Sequence, residues 1–283
     1  MGGVAIVCDS TCDLGLDWFA ANNVTMVPLK VLFGETTYLD WVDLSPEEFY
    51  EKLTTSGLLP KTSQPSPADF AKAYSALADA GYDEIVSIHL SAALSGTFES
   101  ATMAAAESAI PVRVVDTRQI TSATGLAVTA ATDARDGGGD GAKIEAAAIH
   151  AAREGRLLFT LGSLEYLVKG GRAGKASGIA GALLNIKPVL QVNADGIIEP
   201  FTKVKGLRKA MIATAEQVAK DSSTGTVTVA FCHTCSVELV DQLRQELETA
   251  GADYETEGIY RIGAVMGTYA GPGSVGCAYY RKP

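Results

Sequence analysis

Apolar and polar positions along the first half of the chain alternate between strand-length and helix-length patterns. Val4 to Cys8 is a short apolar strand ended by Asp9-Ser10-Thr11, and Asp13 opens a helix reaching about Asn22. Thr25 to Phe33 predicts a second strand, which Gly34-Glu35-Thr36-Thr37 turns back into Tyr38-Leu39-Asp40. Ser45-Pro46-Glu47-Glu48 places Ser at an N-cap, Pro at N1 and Glu at N3, and that helix ends before Gly57. Ser66-Pro67-Ala68-Asp69 opens another in the same style, to about Ala80. Glu84 to Leu90 reads as a strand, Thr97 to Ser108 as an Ala-rich helix, Val112 to Val115 as a strand and Ser122 to Arg135 as a long helix. Asp136-Gly137-Gly138-Gly139-Asp140-Gly141 suits an interdomain linker or a loop between helices. The helical run Ala142 to Glu154 favours the loop. This alternation predicts a parallel sheet covered on both faces by helices.

The second half changes rhythm. Leu157 to Leu161 is a strand, Ser163 to Lys169 a short helix stopped by Gly170-Gly171, and Ala173 to Leu184 a small-residue apolar run. Lys187 to Val192 and Ile197 to Lys203 flank Asn193-Ala194-Asp195-Gly196, a hairpin signal. Leu207 to Lys220 and Val237 to Ala250 read as helices. Thr226 to Phe231, Tyr254 to Ile259 and Val275 to Arg281 are strands completing a mixed sheet.

Composition narrows the function. The chain has 283 residues, enough for two domains or one large one, with a formal net charge of −10, which argues against nucleic acid and anionic membranes as general partners. No apolar run is long enough to span a bilayer, no secretion signal is recognisable at the N-terminus, and the five Cys are an odd number. The expectation is a cytoplasmic protein without stable membrane insertion.

The chemistry concentrates in two Ser/Thr-rich turns. Ser91-Ala92-Ala93-Leu94-Ser95-Gly96-Thr97 follows a strand and precedes a helix, with Ser95 where the N-cap falls. Such a turn aims a hydroxyl and backbone N–H groups at one spot, which the helix dipole makes mildly positive. It forms an anion site without Lys or Arg. Thr62-Ser63-Gln64-Pro65-Ser66-Pro67 has the same character. Ser95 also invites a hydrolase reading, with His89 as the one nearby His, but the nucleophile-elbow pattern is absent. Gly271-Pro272-Gly273-Ser274-Val275-Gly276 has dinucleotide-fingerprint spacing with too little chain after it. Gly170-Gly171-Arg172-Ala173-Gly174-Lys175-Ala176 lacks the first Gly and the Ser or Thr of a P-loop. The chain thus carries no recognised catalytic or nucleotide-binding motif of its own. Cys232-His233-Thr234-Cys235 has the spacing of a redox pair or half a zinc site, with no second pair, and no metal or cofactor is expected.

Taken together, several stretches resemble the DegV family of bacterial fatty-acid-binding proteins. They are Asp9-Ser10, Thr62-Ser63-Gln64-Pro65-Ser66, Leu94-Ser95-Gly96-Thr97, Val168-Lys169-Gly170-Gly171-Arg172, Lys187-Pro188-Val189-Leu190 and Gly271-Pro272-Gly273, in that order. The resemblance implies two α/β domains with a lipid site between them: residues 1–156, an N-terminal parallel sheet covered by helices that carries the carboxylate-binding turns, and residues 157–283, a C-terminal mixed sheet with helices that covers the acyl chain. It implies one long-chain fatty acid as ligand and a role in lipid metabolism as the acyl-carrying subunit of a fatty acid kinase. A separate ATP-binding kinase subunit would phosphorylate the carboxylate. Carried over by position, Thr62 and Ser95 would be the carboxylate's hydroxyl donors, with the backbone N–H of Gly96; Ser63, Thr97 and Tyr269 complete the expected ligand-binding set. Tyr269 departs from the His that the family commonly has ahead of the final Gly-Pro-Gly. Arg172, Lys205 and Arg208, Gly-flanked or in connections, are expected to form a basic docking patch for the kinase near the pocket mouth. The alternative is a free-standing acyl hydrolase using Ser95.

Overall fold

A computed structural model describes residues 2–179 and 186–283. In chain order the first half contains β1 (Val4–Asp9), α1 (Leu16–Ala21), β2 (Val24–Val27), β3 (Lys30–Phe33), β4 (Thr36–Leu39), α2 (Pro46–Thr55), β5 (Lys61–Ser63), α3 (Pro67–Asp79), β6 (Glu84–His89), α4 (Thr97–Ala106), β7 (Val112–Asp116), α5 (Thr121–Asp136) and α6 (Gly141–Glu154). The second half contains β8 (Arg156–Thr160), α7 (Glu165–Lys169), β9 (Ile186–Val192), β10 (Ile198–Lys205), α8 (Leu207–Ser222), β11 (Val227–His233), α9 (Val237–Thr249), β12 (Tyr254–Arg261), α10 (Ala264–Ala270) and β13 (Val275–Tyr280). The end of the apolar run Ala173 to Leu184 lies outside the described residues.

The strands form three sheets. One is fully parallel in the order β2-β1-β6-β7, a second is mixed in the order β10-β9-β8-β13-β11-β12, and a third is small, β4-β3-β5. Within the mixed sheet β11 and β12 run parallel and the other pairs antiparallel. The expected α/β class, a helix-covered parallel sheet followed by a mixed sheet, is therefore what the chain adopts.

Helices α5 and α6 fill the space between the two large sheets. They pack Ala123, Ala127, Ala131, Ile144 and Ala148 against Ile6 and Ile88 on one side and Leu157, Ala230 and Ala278 on the other. Nearly every residue from Thr121 to Thr132 is buried, and most are Ala, Gly, Ser or Thr. Small side chains let a helix lie close to two sheets at once. The outer face of the parallel sheet is covered by α3 and α4 through Phe70, Tyr74 and Ala101, and that of the mixed sheet by α8 and α9 through Met211, Leu243 and Leu247. The small sheet packs Val31 and Phe33 on Phe49 of α2 and Val265 of α10.

Three local readings change. The run Thr25 to Phe33 divides at Pro28-Leu29 into β2 and β3, which enter different sheets. Pro has no N–H to continue a ladder, so the chain changes direction there. The helix expected from Asp13 begins only at Leu16, because Asp13 has φ 57 and Gly15 φ 85. Helix α10 lies in a stretch with no helix signal; its N-cap is Gly263, which makes no side-chain cap.

Candidate functional site

The Ser91–Gly96 turn leaves the C-terminal end of β6, where open α/β sheets commonly place ligands. Asp9, at the end of neighbouring β1, fixes its start by accepting from Leu90 N at 3.1 Å through Oδ2, while Oδ1 accepts from Thr11 N at 3.0 Å. Leu94 N and Ser95 N both donate to Ser91 O, at 3.1 and 3.2 Å, winding the turn tightly. The Ser91 hydroxyl donates across to Gly196 O in the β9–β10 turn at 2.9 Å. Ser95 lies one residue ahead of its expected place, since Gly96 is the N-cap of α4. Its Oγ accepts from Thr97 N at 3.4 Å and hydrogen-bonds Thr97 Oγ1 at 2.8 Å.

Thr62 does not sit in a polar turn. It lies in β5, the three-residue edge strand whose register pairs it with Val31 of β3. So short a strand shows no alternation, and its pairing comes from Lys30 to Leu32, far earlier in the chain. Thr62 Oγ1 hydrogen-bonds the Tyr269 hydroxyl on α10. The Arg172 guanidinium lies 5.3 Å from the centre of the Tyr269 ring and donates to Gly170 O at 2.9 Å. Gly170 is where a side chain is excluded: a Cβ there would lie 2.4 Å from the Tyr269 ring.

These groups border one cavity of about 210 Å³. Thr62, Ser63, Gln64, Ser95, Arg172 and Tyr269 supply its polar side, and Leu29, Leu90, Leu94, Ile120, Leu167, Ile198, Val265 and Met266 its apolar side. A second, apolar chamber of about 40 Å³ shares Ile120, Leu167, Ile198, Met266 and Tyr269 with the first and is floored by Leu157, Phe159 and Cys232 of the mixed sheet. The two therefore adjoin, a hydroxyl-lined head beside an apolar interior, with these five shared residues lining both. Leu29 and Met266 border the head without having been singled out in the sequence, and Gln64, within the Thr62 to Pro67 stretch, was not among the expected ligand residues. Gly96 and Thr97 belong to the Ser95 turn but not to the lining; Thr97 is fully buried.

The basic groups separate. Arg172 borders the head of the cavity, so a cation does stand beside the hydroxyls, contrary to the reading of a purely neutral site. Arg208 is on α8, the layer covering the opposite face of the mixed sheet, and pairs with Glu246 at 3.3 Å. Lys205 ends β10 and borders neither chamber. The three do not form one patch at the cavity mouth.

His89 is not a partner for Ser95. Its Nδ1 pairs with Asp9 Oδ2 at 3.0 Å and its Nε2 with Ser87 Oγ at 2.8 Å, while the Tyr74 hydroxyl donates to Ser87 at 2.9 Å. Asp9, Ser87 and His89 are all fully buried. The connectivity is that of a Ser-His-Asp triad, but a nucleophile must reach its substrate, and this one is closed in by its own sheet. The hydrolase reading loses its base. Cys232 is buried, its thiol pushed up to about 12 by desolvation, whereas Cys235 sits on an exposed turn. Among the described residues no three His, Cys, Asp or Glu are grouped to hold a metal, and no helix is long and apolar enough to cross a membrane.

Comparison with known proteins identifies relatives over nearly the whole chain. The family model described as "Uncharacterised protein, DegV family" matches residues 3–282. A DegV domain-containing protein of Deinococcus radiodurans is 40% identical over 276 residues, 97% of each chain. The solved structure described as fatty acid binding of a DegV family protein from Thermus thermophilus is 33% identical with a TM-score of 0.92, covering 99% of this chain and 100% of that one. A stearic acid-binding protein from Eubacterium ventriosum superposes with a TM-score of 0.88 at 27% identity, covering 99% and 98%.

Proposed function

The chain belongs to the DegV family, and from that premise we propose that it binds one long-chain fatty acid, with the carboxylate at Thr62 and Ser95 and the tail in the apolar interior. The observation that carries this reading is that a hydroxyl-lined chamber adjoins an apolar one, with Ile120, Leu167, Ile198, Met266 and Tyr269 lining both. A carboxylate leaving water needs donors, and hydroxyls supply charge-assisted hydrogen bonds. Each methylene of the tail contributes about 0.8 kcal/mol on burial, so a chain of long-chain length offsets the cost of association. The likeness to fatty-acid-binding relatives supports the same ligand class. Organic-solvent extraction of purified protein followed by mass spectrometry is expected to yield about one fatty acid per chain. A lipid-free extract from protein that also fails to take up added fatty acid would end the proposal.

In the fuller reading the halves 1–156 and 157–283 act as two domains around the lipid, and the protein presents the carboxylate to a separate ATP-dependent kinase subunit that makes the acyl phosphate. Exposure of Ser63, Gln64 and Arg172 at the head supports this, because an incoming phosphoryl donor must approach from solvent while the tail stays enclosed. Arg172→Glu is expected to lower both fatty-acid occupancy and the rate of acyl phosphate formation by an added kinase subunit. Arg208→Glu, on the far side of the mixed sheet, is expected to change neither. Equal effects of the two reversals would remove Arg172 from the site.

A further inference from the structure

Helix α10 carries Met266 and Tyr269, which border both chambers, yet nothing in its own sequence caps it. The caps come from carboxylates more than 220 residues earlier. Asp40 Oδ1 accepts from Ala264 N at 2.9 Å and Val265 N at 3.3 Å, and Asp13 Oδ1 accepts from Gly263 N at 2.9 Å. The other oxygens are held in turn: Ser10 Oγ donates to Asp40 Oδ2 at 2.7 Å and Thr121 Oγ1 to Asp13 Oδ2 at 2.6 Å. Both carboxyls are buried. The backbone around them is strained. Asp13 has φ 57, Trp41 φ 68 and Thr121 φ 44, left-handed values that an aromatic and a β-branched residue rarely adopt. Such strain persists only where surrounding contacts over-determine it, and it gathers at functional sites. Gly263 leaves room for the arrangement, since a Cβ there would lie 2.3 Å from Trp41 Nε1.

We propose that Asp13 and Asp40 are positioning residues for the lipid head group, clasping the start of α10 so that the Tyr269 hydroxyl meets Thr62. The inference rests on the fatty-acid reading above. Tyr269 contributes nothing to the head unless α10 is set at the right height and rotation, and the clasp fixes both through three backbone N–H groups. An uncapped seven-residue helix has little stability of its own.

The clasp also titrates. Asp9, Asp13 and Tyr50 face Asp40, and burial pushes the Asp40 carboxyl up to about 7 and Asp13 upward as well. A carboxyl raised in the folded state favours folding when protonated. That stability is fully present below the ordinary carboxylate range and is lost as pH rises through about 7. Asp40→Asn keeps an acceptor for Ala264 and Val265 N–H and removes the charge. It should therefore bind like the wild type and lose Asp40's share of the fall in stability between about pH 4 and 7.

The test is a double-mutant cycle on palmitate affinity, with circular dichroism to confirm folding. Asp40→Ser is expected to weaken binding about tenfold, and by less than twofold when Tyr269 is already Phe. Ser10→Ala, a milder change that removes one donor to Asp40, should show the same pattern at about threefold. Folded Asp40→Ser and Ser10→Ala variants at wild-type affinity, or equal factors in both Tyr269 backgrounds, would overturn the clasp. Failure of the wild type itself to bind palmitate overturns the proposed function and this inference with it.

Discussion

His89→Ala is expected to destabilise the protein by about 3–5 kcal/mol, the scale for removing one member of a buried, hydrogen-bonded pair. The imidazole touches Asp9 at 3.0 Å, Ser87 at 2.8 Å and the edge of Phe70, whose ring centre is 5.0 Å away. Removing it deprives a fully buried carboxyl group of one of its two side-chain partners and leaves a hole against Phe70. Asp9 keeps Leu90 N and the Thr11 groups, so the loss is partial unfolding pressure and not a vacant charge. For a chain of this size the melting temperature should fall by on the order of 10 °C. Urea denaturation of wild type, His89→Ala and the double variant with Asp9→Asn is the check. Neutralising Asp9 should recover part of the loss, because a buried amide short of one hydrogen bond costs less than a buried charge short of one. Additive losses in the double variant, or a His89→Ala cost below about 1 kcal/mol, would show that the network is incidental.

That network explains why a fold-level feature bears on the ligand. Asp9 holds His89 with one oxygen and the backbone of Leu90 with the same atom, and Thr117 Oγ1 closes on His89 O at 2.7 Å. The end of β6 is thus pinned from β1 and β7 before the Ser91–Gly96 turn begins. A hydroxyl such as Ser95 binds with direction only when its backbone is held; the parallel sheet does the holding from below, and α10 approaches from the other half of the chain.

What the sequence made legible follows from which interactions are local. The capping boxes at Ser45 and Ser66 form as their spacing predicts, because both partners lie within one helical turn. The Asn193–Gly196 hairpin forms for the same reason, with Asn193 Oδ1 accepting from Asp195 N and Ile197 N at 3.0 Å. Helix α10 was invisible because its caps are Asp13 and Asp40, and its sequence Ala-Val-Met-Gly-Thr-Tyr-Ala has a central Gly and two β-branched residues. Thr62 in a strand was equally hidden, since β5 exists only by pairing with β3. The grouping of Arg172 with Arg208 failed on topology: exposed charges carry no sign of which face of a sheet they will occupy.

Ser95→Ala and Thr62→Ala are each expected to weaken fatty-acid binding by roughly 1.5–3 kcal/mol, the scale of a hydrogen bond to a charged group, which is about tenfold to hundredfold in affinity. The geometry gives each hydroxyl capacity to spare. A hydroxyl has one donor and two acceptor sites. Thr62 Oγ1 can accept from Tyr269 and donate its own proton to a carboxylate oxygen. Ser95 Oγ accepts from Thr97 N and can accept from Thr97 Oγ1 as well, which again leaves its proton free to face the ligand. Tyr269→Phe should cost less than Thr62→Ala, because it removes the group that orients Thr62 and not the donor itself. A fatty-acid methyl ester separates head from tail: it has no charge to satisfy, so its affinity should differ little between wild type and the two Ala variants. Isothermal titration with palmitate and methyl palmitate, beside circular dichroism, makes the comparison. If both folded variants bind palmitate as the wild type does, Thr62 and Ser95 are ordinary lining, and Arg172, 5.3 Å from the Tyr269 ring centre, becomes the group that must carry the carboxylate.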